Sequence, residues 1–303
     1  MKGIHIGISG WRYEPWRGDF YPKGLVQRRE LEYASRTVSS IEINGSFYSL
    51  QTPERYIGWR DATPDDFVFS VKAPRYITHV KRLRDITEAM ANFYASGPLQ
   101  LEHKLGPFLW QFPPSFKFDA GLFAELFALL PRTFGEALHC ARHSQRFDDQ
   151  PKPAIAADQP LRHAVEIRHP SFLEEAFIDL LRQHRIALVV ADTAGKWPLV
   201  EELTTDFMYL RLHGDKELYT SGYDEQALTR WEQRIRLWHQ GKQPDDARRI
   251  SSHAASAGPR QVFCYFDNDV KVRAPYDARR LLEKLGLADS LSEQPGQLSG
   301  EFL

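Results

Sequence analysis

Residues 207–213 of the chain read FMYLRLH, and this stretch predicts the fold. Apolar and polar side chains alternate in it, so a β-strand would place Arg211 and His213 on the face opposite the leucines. The runs Ser40–Asn44 (SIEIN) and His163–Arg168 (HAVEIR) alternate in the same way. Strands that are buried on both faces usually form continuous apolar runs. Strands with one apolar face, and a second face that turns polar at the C-terminal end, are what a closed barrel with a polar mouth requires.

Short runs rich in β-branched and aromatic residues recur along nearly the whole chain, and these predicted strands are Ile4–Ser9, Ser40–Asn44, Phe67–Lys72, Pro107–Phe112, His163–Arg168, Ala187–Asp192, Phe207–His213 and Val262–Asp267. Amphipathic segments that predict helices separate most of them, namely Leu25–Val38, Pro53–Ala62, Thr87–Leu105, Ala120–Leu138, Glu174–His184, Asp224–Gln240 and Pro275–Leu285.

Eight alternating units in about 280 residues match the length of a TIM barrel. The sequence therefore predicts the α/β class and a single-domain (β/α)8 TIM barrel over residues 1–289, followed by a flexible tail at 290–303. An open, doubly wound sheet is the alternative. The segments 139–159 and 242–259 lack periodicity and predict loops.

The composition limits the class of protein. Lys and Arg number 39 against 40 Asp and Glu in 303 residues, so a formal net charge of −1 gives no general attraction to DNA or to an anionic membrane. No apolar run approaches the roughly 18 residues that cross a membrane, and the N-terminal residues lack a signal-peptide pattern. Cys140 and Cys264 are far apart, which predicts free thiols. We expect a cytoplasmic, globular protein without a membrane partner.

Polar side chains gather at the predicted C-terminal ends of the strands, where the active sites of TIM barrels lie. We predict acid–base roles for Glu42, Glu166, Asp192 and His213. The predicted substrate-binding residues, at these ends and in the loops that follow, are Trp11, Tyr13, Asn44, Lys72, Arg75, Tyr76, His79, Gln111, Arg168, Arg211, Asp267 and Asn268. The alternative is that the charges among them pair with one another in a buried network, because desolvated charges need partners.

The loops after the first three strands combine aromatic residues with cations, as in Arg75, Tyr76 and His79. That mixture suits an anionic ligand with a ring, such as a nucleotide, a sugar phosphate or the end of a single-stranded nucleic acid. We expect the anion to meet the basic segment Lys72–Arg82, with forked contacts from the strand-end arginines. The alternative is that the aromatic residues cover the barrel mouth and the cations are their solvated edges.

No cofactor is predicted from the motifs. The segment 7–18, GISGWRYEPWRG, is not a dinucleotide-binding GxGxxG, and the chain has neither a Walker A loop nor a GxSxG elbow. A divalent metal is the weaker alternative, because suitable ligand atoms occur in Glu42, Glu166, Asp192, His213 and Asp267. Three cations at the same strand ends oppose a dication, and an HExxH motif is absent.

Several segments of the sequence together carry a resemblance, and they are ISGWRYEPWRGDFYP (8–22), EINGSFYS (42–49), FSVKAPRYITHVKRL (69–83), LGPFLWQFPPSF (105–116), AVEIRHPSF (164–172), ADTAGKWP (191–198), YLRLHG (209–214) and YFDND (265–269). In this order, over residues 4–286, the chain resembles the YecE-like family of uncharacterised proteins, which is a domain of unknown function. The resemblance implies a TIM barrel and no established activity. Two positions depart from the family's pattern: Gly45 stands where serine is usual, and Asp267 where asparagine is common.

Three classes of function stay open at this point. The first is an enzyme or ligand-binding protein for a small phosphate- or nucleotide-like anion at the barrel mouth. The second is a nucleic-acid-binding or processing protein that uses the aromatic and basic rim, and a basic groove longer than one nucleotide would favour it. The third is a binding module without chemistry, which a mouth plugged by its own paired side chains would favour. The fold alone does not choose among them.

Overall fold

Eight parallel strands form a closed barrel in the computed structural model, which describes residues 2–147, 151–253, 257–299 and 302. The strands are β1 (Ile4–Ser9), β2 (Ser40–Ile43), β3 (Val68–Lys72), β4 (Leu105–Gln111), β5 (His163–Glu166), β6 (Ala187–Asp192), β7 (Phe207–Leu212) and β8 (Gln261–Phe266). Each strand pairs with its neighbours in chain order, and β8 closes the ring by pairing with β1. Each predicted strand corresponds to one of these, and the predicted (β/α)8 TIM barrel is confirmed.

Helices connect the strands and cover the outside of the barrel. They are α1 (Glu30–Thr37), α2 (Gly45–Tyr48), α3 (Pro53–Asp61), α4 (Thr87–Ala95), α5 (Ala120–Leu129), α6 (Phe134–Ala141), α7 (Glu175–Gln183), α8 (Glu225–His239) and α9 (Arg273–Leu285). Short 3-10 turns add to them, and a π-helix at Tyr76–Val80 follows β3. Asp224 begins α8 by accepting the backbone N–H of Ala227, and Gly286 ends α9 in the left-handed conformation that glycine tolerates.

Two of the predicted helices are divided, so their prediction as single helices was wrong. The predicted helix before β4 ends as α4, because Gly97 adopts a φ of 109° and Pro98 starts a separate 3-10 segment. The predicted helix before β5 is interrupted at Pro131, which cannot donate a helical hydrogen bond. Thr133 then begins α6, because its hydroxyl accepts the backbone N–H of Glu136 at 3.2 Å.

The alternation of side chains along the strands separates two apolar regions. The larger one lies between the outward strand faces and the helices. The smaller one fills the lower lumen, and it consists of Leu109, Ala164, Ala187, Val189, Ala191, Phe207, Tyr209, Phe263 and Tyr265. Because alternate residues of a strand share a face, the positions that continue this lumen face upward include Glu166 in β5 and Arg211 in β7. The polar mouth therefore lies directly above the apolar side chains that fill the lower lumen.

Three further features concern the cysteines, the irregular segments and the C-terminus. Cys140 and Cys264 are free thiols. No helix among the described residues is long and apolar enough to cross a membrane. Parts of the two predicted loops, residues 148–150 and 254–256, lie outside the described residues, as do 300, 301 and 303 of the predicted tail. The tail contacts α1, where the Tyr33 hydroxyl donates to the carbonyl oxygens of Gln294 and Gln297.

The close approach of β1 and β2 generates a testable prediction at Gly7. A Cβ atom at this position would lie 1.7 Å from the carbonyl oxygen of Ser40, so Gly7→Ala must push the two strands apart. We expect it to lower the free energy of unfolding by about 3 kcal/mol or more, measured by urea denaturation. The control is Gly58→Ala in α3, where nothing lies within 4 Å of the added atom, and we expect a gain of about 0.5–1 kcal/mol. Equal effects of the two substitutions would contradict the tight strand contact.

Candidate functional site

Arg211 lies at the centre of the upper lumen and is fully buried. Its Nη2 donates to Glu42 Oε1 at 2.8 Å and to Asp267 Oδ2 at 2.9 Å, and its Nη1 donates to Glu166 Oε2 at 2.7 Å. Its Nε donates to Glu42 Oε2 at 3.1 Å. With a further contact to the hydroxyl of Ser9 at 3.2 Å and one to a ring nitrogen, all of its N–H donors face protein groups. One guanidinium therefore joins carboxylates that β2, β5 and the end of β8 supply.

Glu42 is the most completely hydrogen-bonded carboxylate of this cluster. Besides Arg211, its oxygens accept hydrogen bonds from the Ser9 hydroxyl at 2.5 Å and from the Tyr209 hydroxyl at 2.6 Å. Ser9 in turn accepts the side-chain amide of Asn44 at 2.8 Å. Three side chains, Arg211, Ser9 and Tyr209, therefore hold Glu42 in place.

The arginines of the cluster set the protonation states of Glu166 and Asp267. Burial opposes the charge of Glu166, but the guanidinium groups of Arg168 and Arg211 outweigh that effect and hold the pKa of this carboxyl far below its usual range. Burial also opposes the charge of Asp267, and Arg211 again lowers the pKa well below its ordinary value. Both groups are therefore carboxylates at neutral pH, and neither is a ready proton donor.

His213 lies beside the cluster, and the cluster does not hold its Nδ1 by a hydrogen bond. Its Nδ1 is 3.0 Å from Asp267 Oδ2 but off the direction of an N–H bond, so this buried nitrogen has no hydrogen-bond partner in the described part of the chain. Its Nε2 faces Nη1 of Arg211 at 3.4 Å. The ring of Tyr219 packs edge-on against the imidazole, with the ring centroids 5.3 Å apart.

Lys72, at the end of β3, is the exception among the buried charges. Its residue is only 7% exposed, and its Nζ has neither an ion pair nor a hydrogen bond among the described residues. The ammonium lies 4.2 Å from the ring centroid of Phe47, a cation–π contact. Burial and the nearby Arg211 lower the pKa of Lys72 to about 8, although the carboxylates of the lumen act in the opposite direction. The protein thus holds a desolvated cation without its own counter-ion.

Arg168 extends the cluster toward the opening. Its Nε donates to Glu166 Oε1 at 2.9 Å, and its guanidinium lies 3.8 Å from the ring centroid of Trp197. The two terminal nitrogens of this guanidinium form no hydrogen bond within the described ranges. Gln111, which is paired in register with Glu166, is buried at the end of β4, and its side-chain amide is likewise unpartnered among these residues.

The π-helix after β3 brings further groups to the same side of the mouth. Burial, Lys72, Arg75 and Arg168 together lower the pKa of His79 to about 4, so this imidazole is neutral. Its Nδ1 is held at 2.8 Å from the hydroxyl of Thr78. Lys72, Arg75 and Arg168 therefore lie on the same side of the mouth as this half-buried imidazole.

Not every predicted site residue reaches the lumen. Asp192 follows the outward parity of β6, and its Oδ2 accepts the Tyr223 hydroxyl at 3.1 Å. Burial raises the pKa of this carboxyl. Asn268 also faces outward, and its amide donates to Asp277 of α9 at 3.0 Å. Of the aromatic rim residues, Trp11 is buried and Tyr13 donates its hydroxyl to a backbone carbonyl, whereas Tyr76 is 52% exposed.

The structure adds residues that the prediction from sequence did not include among the site residues. Ser9 and Tyr209 complete the hydrogen bonding of Glu42, and the alternation along β1 and β7 would have identified both. Phe47 and Trp197 lie in loops, and their contacts with Lys72 and Arg168 have no periodic signal in the sequence. Burial and the neighbouring Asp267 raise the pKa of Asp269 to about 6. Asp269 also lies in a loop, so its position beside Asp267 has no periodic signal in the sequence.

The donor set of the lumen has the chemistry of an ion-pair network. Among the described residues, no group of three or more His, Cys, Asp and Glu side chains is arranged to hold a metal ion. The carboxylate oxygens of Glu42 and Glu166 that point inward are taken by Arg211. A dication in the same position would have to displace that guanidinium, so the residues present do not fit a metal between these carboxylates.

The dependence of three carboxylates on one guanidinium leads to a prediction for Arg211→Lys. An ammonium cannot form the forked contacts, so buried carboxylates lose partners, and we expect the free energy of unfolding at pH 7 to fall by about 3–5 kcal/mol. The control is Arg230→Lys, whose side chain is 54% exposed and lies 3.6 Å from Asp215, and we expect a loss below about 1 kcal/mol. Urea denaturation at pH 7 measures both effects, and losses of equal size would contradict the central role of Arg211.

The same variant has a predicted pH dependence. Depressed pKa values of Glu166 and Asp267 stabilise the wild type above the unfolded-state values near pH 4, and this contribution is lost as the pH falls through the lower folded-state values. In Arg211→Lys the carboxyls take up protons more readily, so the difference in stability between variant and wild type should narrow from pH 7 to pH 4. A difference that stays constant in urea denaturation at the two pH values would contradict the assigned ionisation.

Comparison with known proteins agrees with this fold and adds relatives. The family described as protein of unknown function DUF72 matches residues 5–298. The UPF0759 protein YecE of Escherichia coli strain K12 is 25% identical over 245 residues, which cover 80% of this chain and 84% of that protein. The UPF0759 protein YunF of Bacillus subtilis is 31% identical over 121 residues, which cover 37% and 41% of the two chains.

Solved structures show the same likeness. A DUF72 family protein from Thermotoga maritima superimposes with a TM-score of 0.69 at 27% identity, covering 93% of this chain and 99% of that one. A DUF72 family protein from Enterococcus faecalis superimposes with a TM-score of 0.65 at 17% identity, covering 98% and 100%. Because the family match extends over nearly the whole length, the chain belongs to the DUF72 family of proteins of unknown function.

Proposed function

We propose that the protein binds a small anionic molecule, carrying a phosphate or carboxylate group, at the C-terminal mouth of the barrel. The observation that carries the proposal is the ammonium of Lys72, which is nearly buried and has no counter-ion among the described residues. Lysine is almost never buried without a partner, because desolvating its charge is unfavourable. A bound anion would supply the missing partner.

Arg168 supports the same proposal, because the terminal nitrogens of its guanidinium have no hydrogen-bond partner among the described residues. Its contacts with Glu166 and Trp197 fix the plane of the guanidinium, and the two terminal nitrogens are left for a ligand. A guanidinium with two parallel N–H groups matches the geometry of a carboxylate or phosphate. The amide of Gln111 offers a further donor beside it. Preorganised donors of this kind lower the conformational cost of binding.

The balance of charge also favours an anion. Glu42, Glu166 and Asp267 are matched in number by Arg211, Arg168 and Lys72, so the lumen itself is neutral. Arg75 adds another cation at the edge of the mouth, and it has no ion pair within the described ranges. An anion that enters beside Lys72 therefore meets a surplus of positive charge.

The roles proposed for the acidic residues follow from their partners. Glu42 and Glu166 hold Arg211 and Arg168 in position, and we assign them this positioning role in preference to proton transfer. Arg211 has no N–H donor left for a ligand, so Arg168 is the arginine of choice for the anion. Asp192 serves the outer side of the mouth through Tyr223.

A second candidate function, acid–base catalysis on the bound anion, has one specific observation in its favour. The pKa of Lys72, lowered to about 8, lies near the pH at which an efficient general acid or base operates. A lysine of this kind can donate a proton to a ligand and recover it from water. Such catalysis requires the bound anion, so anion binding is the first property to measure.

The isolated charge of Lys72 predicts opposite effects of two substitutions. Lys72→Met removes a desolvated cation, so we expect the anion-free protein to gain about 1–3 kcal/mol and to lose the stabilisation by added sulfate, phosphate or citrate. The matched control is Lys104→Met at another buried lysine, whose Nζ donates to the carbonyl oxygens of Arg60 and Thr63 at 2.7 and 2.8 Å. That substitution should destabilise the protein by about 1–3 kcal/mol and keep the response to anions.

Thermal-shift measurements with an anion series decide this prediction. For the wild type, an anion at 100 times its dissociation constant stabilises the folded state by about 2.7 kcal/mol. A loss of stability in Lys72→Met without any anion effect in the wild type would contradict the proposal and assign the ammonium a structural role.

Anion binding should also depend on pH. Folding lowers the pKa of Lys72 to about 8, so the ammonium is protonated below that pH and neutral above it. Sulfate keeps its charge over this range, and its affinity is expected to be constant below pH 7 and to fall about ten-fold per pH unit above pH 8. Isothermal titration between pH 6.5 and 9.5 measures the change. An affinity independent of pH would contradict contact between the anion and Lys72.

A further inference from the structure

We infer that the rim of the barrel, from the loop after β1 to the loop after β4, binds a single strand of nucleic acid. Three cavities lie along this rim, and each is lined by cations, exposed aromatic rings or both. The site adjoins the mouth through Phe47, but its lining does not include Lys72 or Arg168, so it does not rest on the anion proposed there.

The first cavity, here the basic cavity, lies between the loops after β3 and β4 and has a volume of about 570 Å³. Its lining contains the cations Lys81, Arg82, Arg84 and Lys117. The only carboxylate that the described residues contribute to the lining is Asp119, whose oxygen already accepts the backbone N–H of Leu122 at the start of α5. The lining thus contains four cations and one carboxylate, which caps α5.

Three of the four cations have no polar partner within the described ranges. Lys81, Arg84 and Lys117 have no ion pair or side-chain hydrogen bond in the described part of the chain. Arg82 lies 4.7 Å from the ring centroid of Phe116 and donates to Ser115, which holds its guanidinium at the cavity wall. A group of unneutralised cations around one concavity focuses positive potential there.

The second cavity, here the ring cavity, lies between α2 and the π-helix after β3 and has a volume of about 360 Å³. Tyr48 and Tyr76 line it and are 72% and 52% exposed. Arg146 is the cation of its lining, to which the described residues add no carboxylate. Exposed tyrosine rings of this kind offer their faces to unpaired bases, which stack on them without regard to sequence.

The third cavity, here the Arg–Trp cavity, has a volume of about 430 Å³ and lies between the loops after β1 and β2. Arg12 and Arg55 line it together with the indole rings of Trp11 and Trp59, again without a carboxylate from the described chain. Asn44 lines it as well, and its side-chain oxygen is buried without a hydrogen-bond partner among the described residues. The cavity therefore offers two cations and an unused polar group beside aromatic rings.

The three cavities follow one another along the rim. The ring cavity shares Tyr48 and Ser49 with the Arg–Trp cavity, and the π-helix that contributes Tyr76 to it ends at Val80, which lines the basic cavity. Cations at both ends with exposed rings between them match a flexible chain of phosphates and unpaired bases. A mononucleotide would occupy one cavity, and a duplex would keep its bases stacked away from the tyrosines.

Binding is tested by fluorescence anisotropy with a fluorescein-labelled oligothymidine of about 12 nucleotides. The double variant Arg82→Ala/Lys117→Ala should weaken binding at least ten-fold and reduce the slope of log affinity against log salt by about 1.4, because each lost phosphate contact contributes about 0.7. Tyr76→Ala should weaken binding about five-fold or more, and Tyr76→Phe, which keeps the ring, should restore it.

The matched control is Lys242→Ala/Arg249→Ala, which removes two exposed and unpaired cations of the described chain from the connection before β8, at the opposite end of the barrel. This pair should leave affinity within two-fold and the salt slope unchanged. Equal weakening by the two double variants would overturn the inference, and so would the absence of binding at low salt. Equal affinity for a duplex of the same length, or competition by thymidine triphosphate at the concentration of the oligonucleotide, would overturn it as well.

Discussion

The burial of one guanidinium constrains the rest of the molecule. Arg211 can stay in the lumen only because carboxylates from three other strands or strand ends surround it, at distances between 2.7 and 3.1 Å. An unpaired buried charge would be strongly unfavourable, so the ring of strands has to close with Glu42, Glu166 and Asp267 at the same height. A slip by one residue in any of these strands would turn its carboxylate into the helix layer. The ion-pair cluster therefore specifies register as well as neutralising charge.

The ion-pair cluster around Arg211 does not include Lys72. Arg211 takes one oxygen of Glu166 and Arg168 takes the other, and no carboxylate of the described residues lies within ion-pair distance of the Lys72 ammonium. The lumen is consequently neutral at its core and positive on the side of β3 and β5. His79 lies on the same side, and burial together with these cations lowers its pKa to about 4. The free positive charge of the mouth is thus a direct consequence of how the buried carboxylates are divided.

The sequence predicted the fold better than the site, and particular residues explain the difference. The strict alternation in β2, β5 and β7 correctly assigned Glu42, Glu166 and Arg211 to the lumen face. The same rule would have turned Asp192 and Asn268 outward, since they share the parity of Val190 and Phe266, but grouping residues by strand ends alone concealed it. Which cations lack partners was not predictable, because pairing depends on side-chain positions to within an ångström. The helix breaks at Gly97 and Pro131 did have signals, which the apolar periodicity on either side outweighed.

The net charge of −1 illustrates a related limit of composition. Some acidic residues outside the mouth form ion pairs, as Glu225 does with Arg280 and Lys284 between α8 and α9. The cavities along the loops after β1 to β4 have only one carboxylate, Asp119, in their described linings, so most of the cations there have no acid beside them. A near-zero total therefore coexists with a positive rim, because screening limits each charge to neighbours within about 10 Å. The barrel separates the two tasks: its strands bury charges that cancel, and its loops display the charges that do not.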